Sequence, residues 1–138
     1  MKMSRNIQAL LYFSLFSCTF FVSATEYEKL TPEDVIKTWN DALYDGDISV
    51  VEKYTSKTAA DYVKNNWGSL GGLSKVYQQL IHNRPSILVN RQKVSGNMAT
   101  VEYTTFHPED VVKEWVDTLF MEDGVWKVAP QYARTFKN

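Results

Sequence analysis

The chain has 138 residues, of which 14% are aromatic, with 15 lysines and arginines against 16 aspartates and glutamates. That balance leaves a formal charge of −1 and no basic stripe, which excludes a nucleic-acid partner, because phosphate backbones are held by rows of cations that displace counterions. The aromatic content excludes a disordered chain, since such chains lack the large apolar side chains that offset ordering entropy.

Met1 to Arg5 carries Lys2 and Arg5, and residues 7–22 contain no charge. Val22-Ser23-Ala24 then offers a small-residue cleavage site before the polar Thr25-Glu26-Tyr27-Glu28-Lys29. This layout is that of a secretory signal peptide over residues 1–24, followed by one domain over 25–138 of on the order of 110 residues. Export places the domain in the periplasm or outside the cell. The one cysteine, Cys18, lies inside the leader. Leu15-Phe16-Ser17-Cys18 loosely resembles a lipobox, so a lipid anchor at Cys18 is the alternative; the bulky Phe16 and the apolar run continuing to Val22 speak against it. Cleavage after Ala24 leaves no thiol, and with it no disulfide, thiol catalysis or cysteine-based metal site. No later apolar run approaches the ~20 residues of a membrane span.

Helical signals come first. Thr31 is suited to an N-cap, Pro32 to the first turn and Glu33-Asp34 to the positive end of the helix dipole. Val35, Ile36, Trp39, Ala42 and Leu43 follow at helical spacing, and Gly46 fits the left-handed exit. Asp47 caps a short second helix through Val50, Val51 and Tyr54, and a third spans about 56–65. Gly68, Gly71 and Gly72 read as a turn between helices; no Lys-Ser or Lys-Thr stands in register for a phosphate loop. Residues 73–81 form a fourth helix, closed before Pro85.

After Pro85 the period becomes two. Strands are expected over 87–94, 98–106, 113–122 and 125–132, with turns at Ser95-Gly96-Asn97 and Asp123-Gly124 and an irregular connection at His107-Pro108-Glu109-Asp110. Helices followed by an antiparallel meander make an α+β domain with N-terminal helices packed on one face of a curved sheet.

Three stretches carry a family likeness. They are Thr31 to Trp39 with Ala42-Leu43 and Gly46-Asp47, then Gly96-Asn97-Met98-Ala99-Thr100-Val101, then Leu119 to Val128. In this order they resemble the nuclear transport factor 2-like superfamily, cystatin-like in fold, and especially its small secreted bacterial members. The resemblance implies a cone-like sheet wrapped round a long helix with a pocket between them. It implies no activity, because the superfamily includes isomerases, dehydratases, transport and binding modules, and toxin-neutralising proteins.

A two-residue turn at Asp123-Gly124 pairs Met121 with Trp126 and Leu119 with Val128, and carries Trp115 and Asp117 onto that same face, near Pro130 and Tyr132. Asp117 is then a carboxylate on an aromatic face, where burial raises its pKa and suits it to acid–base work. A three-residue turn swaps the faces and sends Asp117 to water. Trp39, Tyr103, Trp115, Asp117, Trp126 and Tyr132 are the pocket candidates; Tyr44, Tyr54 and Tyr62 also read as cavity or core aromatics. Trp67, between Asn65-Asn66 and Gly68, is the rim aromatic for a pocket mouth or a protein partner. His82 and His107 belong to no metal-binding pattern, and neither metal nor cofactor is expected.

The expected role is binding, of a small apolar ligand in the cone or of a protein partner, including neutralisation of a periplasmic or secreted toxin as an immunity protein. A homodimer through the sheet is expected from the family likeness. The alternative is a pocket enzyme of isomerase or dehydratase type using Asp117 with Tyr103 or His107.

Overall fold

The computed structural model describes residues 29–136; the expected leader, its Ala24 cleavage site and Cys18 lie outside the described residues. The first helix, α1 (Pro32–Asp45), starts on a capping box. Thr31 Oγ1 accepts the Asp34 N–H at 3.2 Å, and Asp34 Oδ2 accepts the Thr31 N–H at 3.4 Å. Gly46, at φ 73°, ends the helix and donates its N–H to Ala42 O. Asp47 then caps α2 (Ile48–Lys53), its Oδ1 accepting the Val50 N–H at 3.3 Å.

A 3-10 turn leads into α3 (Ala60–Trp67), and α4 (Leu70–Gln79) follows after two residues. The glycine-rich stretch is therefore not a turn throughout. Ser69 Oγ accepts the Gly72 N–H at 3.0 Å, and this cap starts the helix three residues before Leu73. Gly72 has a further reason to lack a side chain: a Cβ there would collide with the Trp67 carbonyl oxygen. The end of α3 and the start of α4 are thereby pressed together, which fixes the position of Trp67.

Five strands form one antiparallel sheet: β1 (Ser86–Ser95), β2 (Met98–Phe106), β3 (Val112–Glu122), β4 (Val125–Val128) and β5 (Arg134–Phe136). The order is β1-β2-β3, with β4 and β5 sharing the far edge of β3: β4 lies opposite Leu119 to Glu122 and β5 opposite Glu114 to Val116. Asp123 (φ 52°) and Gly124 (φ 76°) make the two-residue turn, so Met121 faces Trp126 and Leu119 faces Val128. A register shift between Val89 and Arg91 takes Asn90 out of the ladder, and its Nδ2 donates across the strands to Thr104 Oγ1 at 2.8 Å.

The last strand differs from the sequence expectation. It stops at Val128, four residues before Tyr132, because Val128 is also held from the helical side. Its N–H donates to Tyr54 O at 2.7 Å, and its carbonyl accepts the Ser56 N–H at 2.8 Å. Pro130, which has no N–H for a ladder, then opens a 3-10 turn, and β5 resumes the sheet beyond it. β5 was not expected: three exposed residues carry no periodicity to detect.

The core lies between α1 and the inner sheet face. Val35, Ile36 and Leu43 are fully buried there with Val51, Val101, Leu119 and Val128. On the outer face Leu88, Phe106, Val112 and Phe136 remain about half exposed. Among the described residues no helix is long and apolar enough to cross a membrane.

Candidate functional site

The sheet is longer than the part α1 fills. Beyond the Leu119 end, the space between α1, α4 and strands β2 and β3 encloses a cavity of ≈ 230 Å³. Helical spacing supplies one wall: Trp39 and Tyr44 from α1, and Leu73 and Tyr77, one turn apart, from α4. Strand alternation supplies the floor, with Tyr103 of β2 directly opposite Trp115 of β3, and Asp117 two residues further on the same face. Tyr62 and Trp67 of α3, in edge-to-face contact at 5.3 Å, complete the rim.

Asp117 is 3% exposed, and Tyr103 donates its hydroxyl to Asp117 Oδ2 at 2.8 Å. Burial raises the Asp117 carboxyl to about 6, and the Tyr103 hydrogen bond, which favours the anion, offsets only part of that. The Tyr103 phenol is pushed far up by its own burial first and by the neighbouring negative charge second, so it stays a donor. Tyr77 is shifted upward for the same two reasons. The Asp117 side chain lines the cavity, and among the described residues its Oδ1 has no hydrogen-bond partner.

A second polar group stands at the mouth. Trp115 Nε1 donates to Thr105 Oγ1 at 2.9 Å, and Thr105 Oγ1 lies 2.9 Å from His107 Nε2. Partial burial lowers the His107 pKa first, and the nearby Lys113 charge lowers it further. Both effects favour the neutral imidazole. His107 opens the β2–β3 connection, its N–H donating to Val111 O at 2.8 Å, while Glu109 (φ 66°) and Asp110 (φ 60°) sit in the left-handed region. Two adjacent non-glycine residues there cost about 1–2 kcal/mol each, and the closed loop holds His107 at the cavity edge in spite of it.

Trp39, Tyr103, Trp115 and Asp117 come together here as the sequence places them, and Trp67 joins them in the cavity wall. Two pocket candidates do not. Trp126 shares the inner face but pairs with Met121, four residues along β3 from Asp117, and lines a separate recess with Leu30 and Tyr54 at the opposite end. Tyr132 is turned outward by the Pro130 turn, half exposed, with its ring edge on Phe120. Sequence reasoning overlooked Tyr77, Asn40 and Thr105. The Leu73/Tyr77 spacing on a helix was the available signal for the first; nothing local marks the other two. Among the described residues no three metal-ligating side chains gather.

No protein-family model matches the sequence, and no curated protein matches it. Solved structures do share the fold. A candidate NTF2-like transpeptidase from Campylobacter jejuni superposes with a TM-score of 0.52 at 18% identity, covering 72% of this chain and 97% of its own. A SEC-C motif containing protein from Rhodopseudomonas palustris superposes with a TM-score of 0.58 at 12% identity, covering 78% of this chain and 80% of its own. The chain therefore has the α+β fold of NTF2-like proteins.

Proposed function

We propose that this NTF2-like fold serves as an exported binding domain whose site is the aromatic cavity around Asp117. One observation carries the reading: a buried carboxylate, held by Tyr103, faces a ≈ 230 Å³ space walled by aromatic rings instead of a packed core. Cavities that are mostly apolar with a few placed polar groups are the usual form of a small-molecule site. The leader-like residues 1–24 support a periplasmic or secreted place of action.

The reading is tested by thermal shift against a collection of small apolar molecules, on the wild type and on Val76→Trp. Val76 is an exposed residue at the cavity mouth. A bound ligand raises the melting temperature of the wild type, because it binds the folded state only. Molecules that stabilise both proteins equally bind elsewhere and contradict the proposal.

The second reading is a pocket enzyme of isomerase or dehydratase type, with Asp117 as base and Tyr103 or His107 assisting. It is favoured by the carboxyl raised to about 6, close to the range where a general base works best. A cavity ligand whose carbon-bound hydrogen exchanges in D2O with the wild type, and not with Asp117→Asn, supports it. Recovery of the ligand unexchanged from both removes it.

A further inference from the structure

Resting on the cavity reading above, we propose that the ligand is a compact organic cation, of the alkylammonium or quaternary ammonium class, held by aromatic rings over the Asp117 carboxylate. The charge inventory points this way. Asp117 is the one carboxylate in the lining, and no lysine or arginine lines the cavity among the described residues. Arg84 is engaged outside, stacked 4.9 Å over the Tyr44 ring and paired with Asp41. His107, the remaining basic group, is shifted toward its neutral form by burial and by Lys113.

The hydrogen-bond inventory agrees. Several donors around the carboxylate are used within the protein: Tyr103 on Asp117 itself, Trp115 Nε1 on Thr105, Trp39 Nε1 on Thr55, and Asn40 Nδ2 on Ile36 O; the other donors in the lining include the hydroxyls of Tyr44, Tyr62 and Tyr77. Asp117 Oδ1 remains as an acceptor. An anion entering the cavity meets a like charge and, among the described residues, no lysine or arginine to offset it. A cation meets a carboxylate and the electron-rich faces that attract cations. A quaternary ammonium needs no hydrogen bond and fills such a space with methyl groups laid against the aromatic rings.

The groups facing Asp117 make pH a diagnostic. Tyr103 of β2, Tyr77 of α4 and Tyr44 of α1 have phenols raised above their ordinary value by burial and stay neutral; Tyr62 of α3 also faces the cavity. His107, on the β2–β3 loop, gains its proton at acid pH and then repels a cation. Loss of the Asp117 charge acts in the same direction.

The experiment is calorimetric titration of the full chain with choline and with its neutral isostere 3,3-dimethylbutan-1-ol, at pH 8 and pH 5. The wild type is expected to prefer choline by roughly tenfold or more at pH 8, and to lose roughly tenfold in choline affinity at pH 5, where most of a carboxyl with pKa about 6 is protonated. Asp117→Asn is expected to remove the preference and most of the pH effect, leaving only the smaller part that His107 contributes, while His107→Gln keeps the preference and loses only that smaller part. Equal or tighter binding of the isostere by the wild type overturns the cation assignment and leaves the cavity reading standing. Failure of both compounds to bind, together with a thermal-shift screen blind to Val76→Trp, overturns the cavity reading as well. A pH effect that persists in Asp117→Asn and vanishes in His107→Gln shows that the carboxylate is not the recognising group.

Discussion

The two ends of the sheet are made from the same strands and do opposite things. At the Leu119–Val128 end, Ile36, Leu43, Val51, Val101, Leu119 and Val128 are fully buried and close-packed against α1. At the Tyr103–Trp115 end, β2 and β3 continue with larger, polar-tipped residues around a cavity and a carboxylate. Strand alternation puts both sets on one face; the position along the strand decides whether that face becomes core or site. The filled end supplies stability, and the hollow end gives some of it up, since burying Asp117 as an anion is costly.

The largest effect that sharpens this contrast is Leu119→Ala. Truncating a fully buried leucine at the filled end is expected to cost about 4 kcal/mol in urea unfolding. Asp117→Asn at the hollow end is expected to act with the opposite sign. Because the folded carboxyl titrates at about 6 against an ordinary 3.8, the folded state holds its proton more tightly between those values. The contribution to stability is therefore fully present below about pH 4 and lost as pH rises through 6, by up to about 3 kcal/mol. Asp117→Asn escapes that loss, so it should exceed the wild type in stability at pH 8 and show no gain at pH 4. A variant less stable than the wild type at pH 8 breaks the contrast.

Gly72→Ala probes the α3–α4 junction that holds Trp67 at the cavity rim. Its Cβ meets the Trp67 carbonyl, so the variant is expected to lose about 2 kcal/mol and to weaken ligand binding, read by calorimetry beside urea unfolding. Smallest is Thr31→Ala, which removes the α1 cap: a loss of about 1 kcal/mol without change in ligand affinity, since the cap lies away from the cavity.

Much of the filled end was legible from sequence. Thr31-Pro32, the stripe from Val35 to Leu43, and Asp123-Gly124 each impose their geometry locally, and the hairpin turn fixed the face of Asp117 two residues beyond the paired segment. The hollow end was legible in residue type but not in extent. Trp126 has the same facing as Trp115, and only the distance along β3 separates them. Tyr132 was lost because Val128 is held by Tyr54 and Ser56, contacts between residues more than seventy positions apart that no strand pattern announces. The early start of α4 rests on Ser69 acting as a cap through two glycines, where glycine's ordinary reading is a break.

The most direct measurement uses the four tryptophans. Trp39, Trp67 and Trp115 line the cavity and Trp126 sits at the far end. In an 15N-correlated spectrum their indole N–H signals report on the two ends at once. Titration with choline and with 3,3-dimethylbutan-1-ol should shift the three cavity signals and leave Trp126 in place. A shift of Trp126 with the other three unmoved, or no shift at all from either compound, contradicts the cavity as the site.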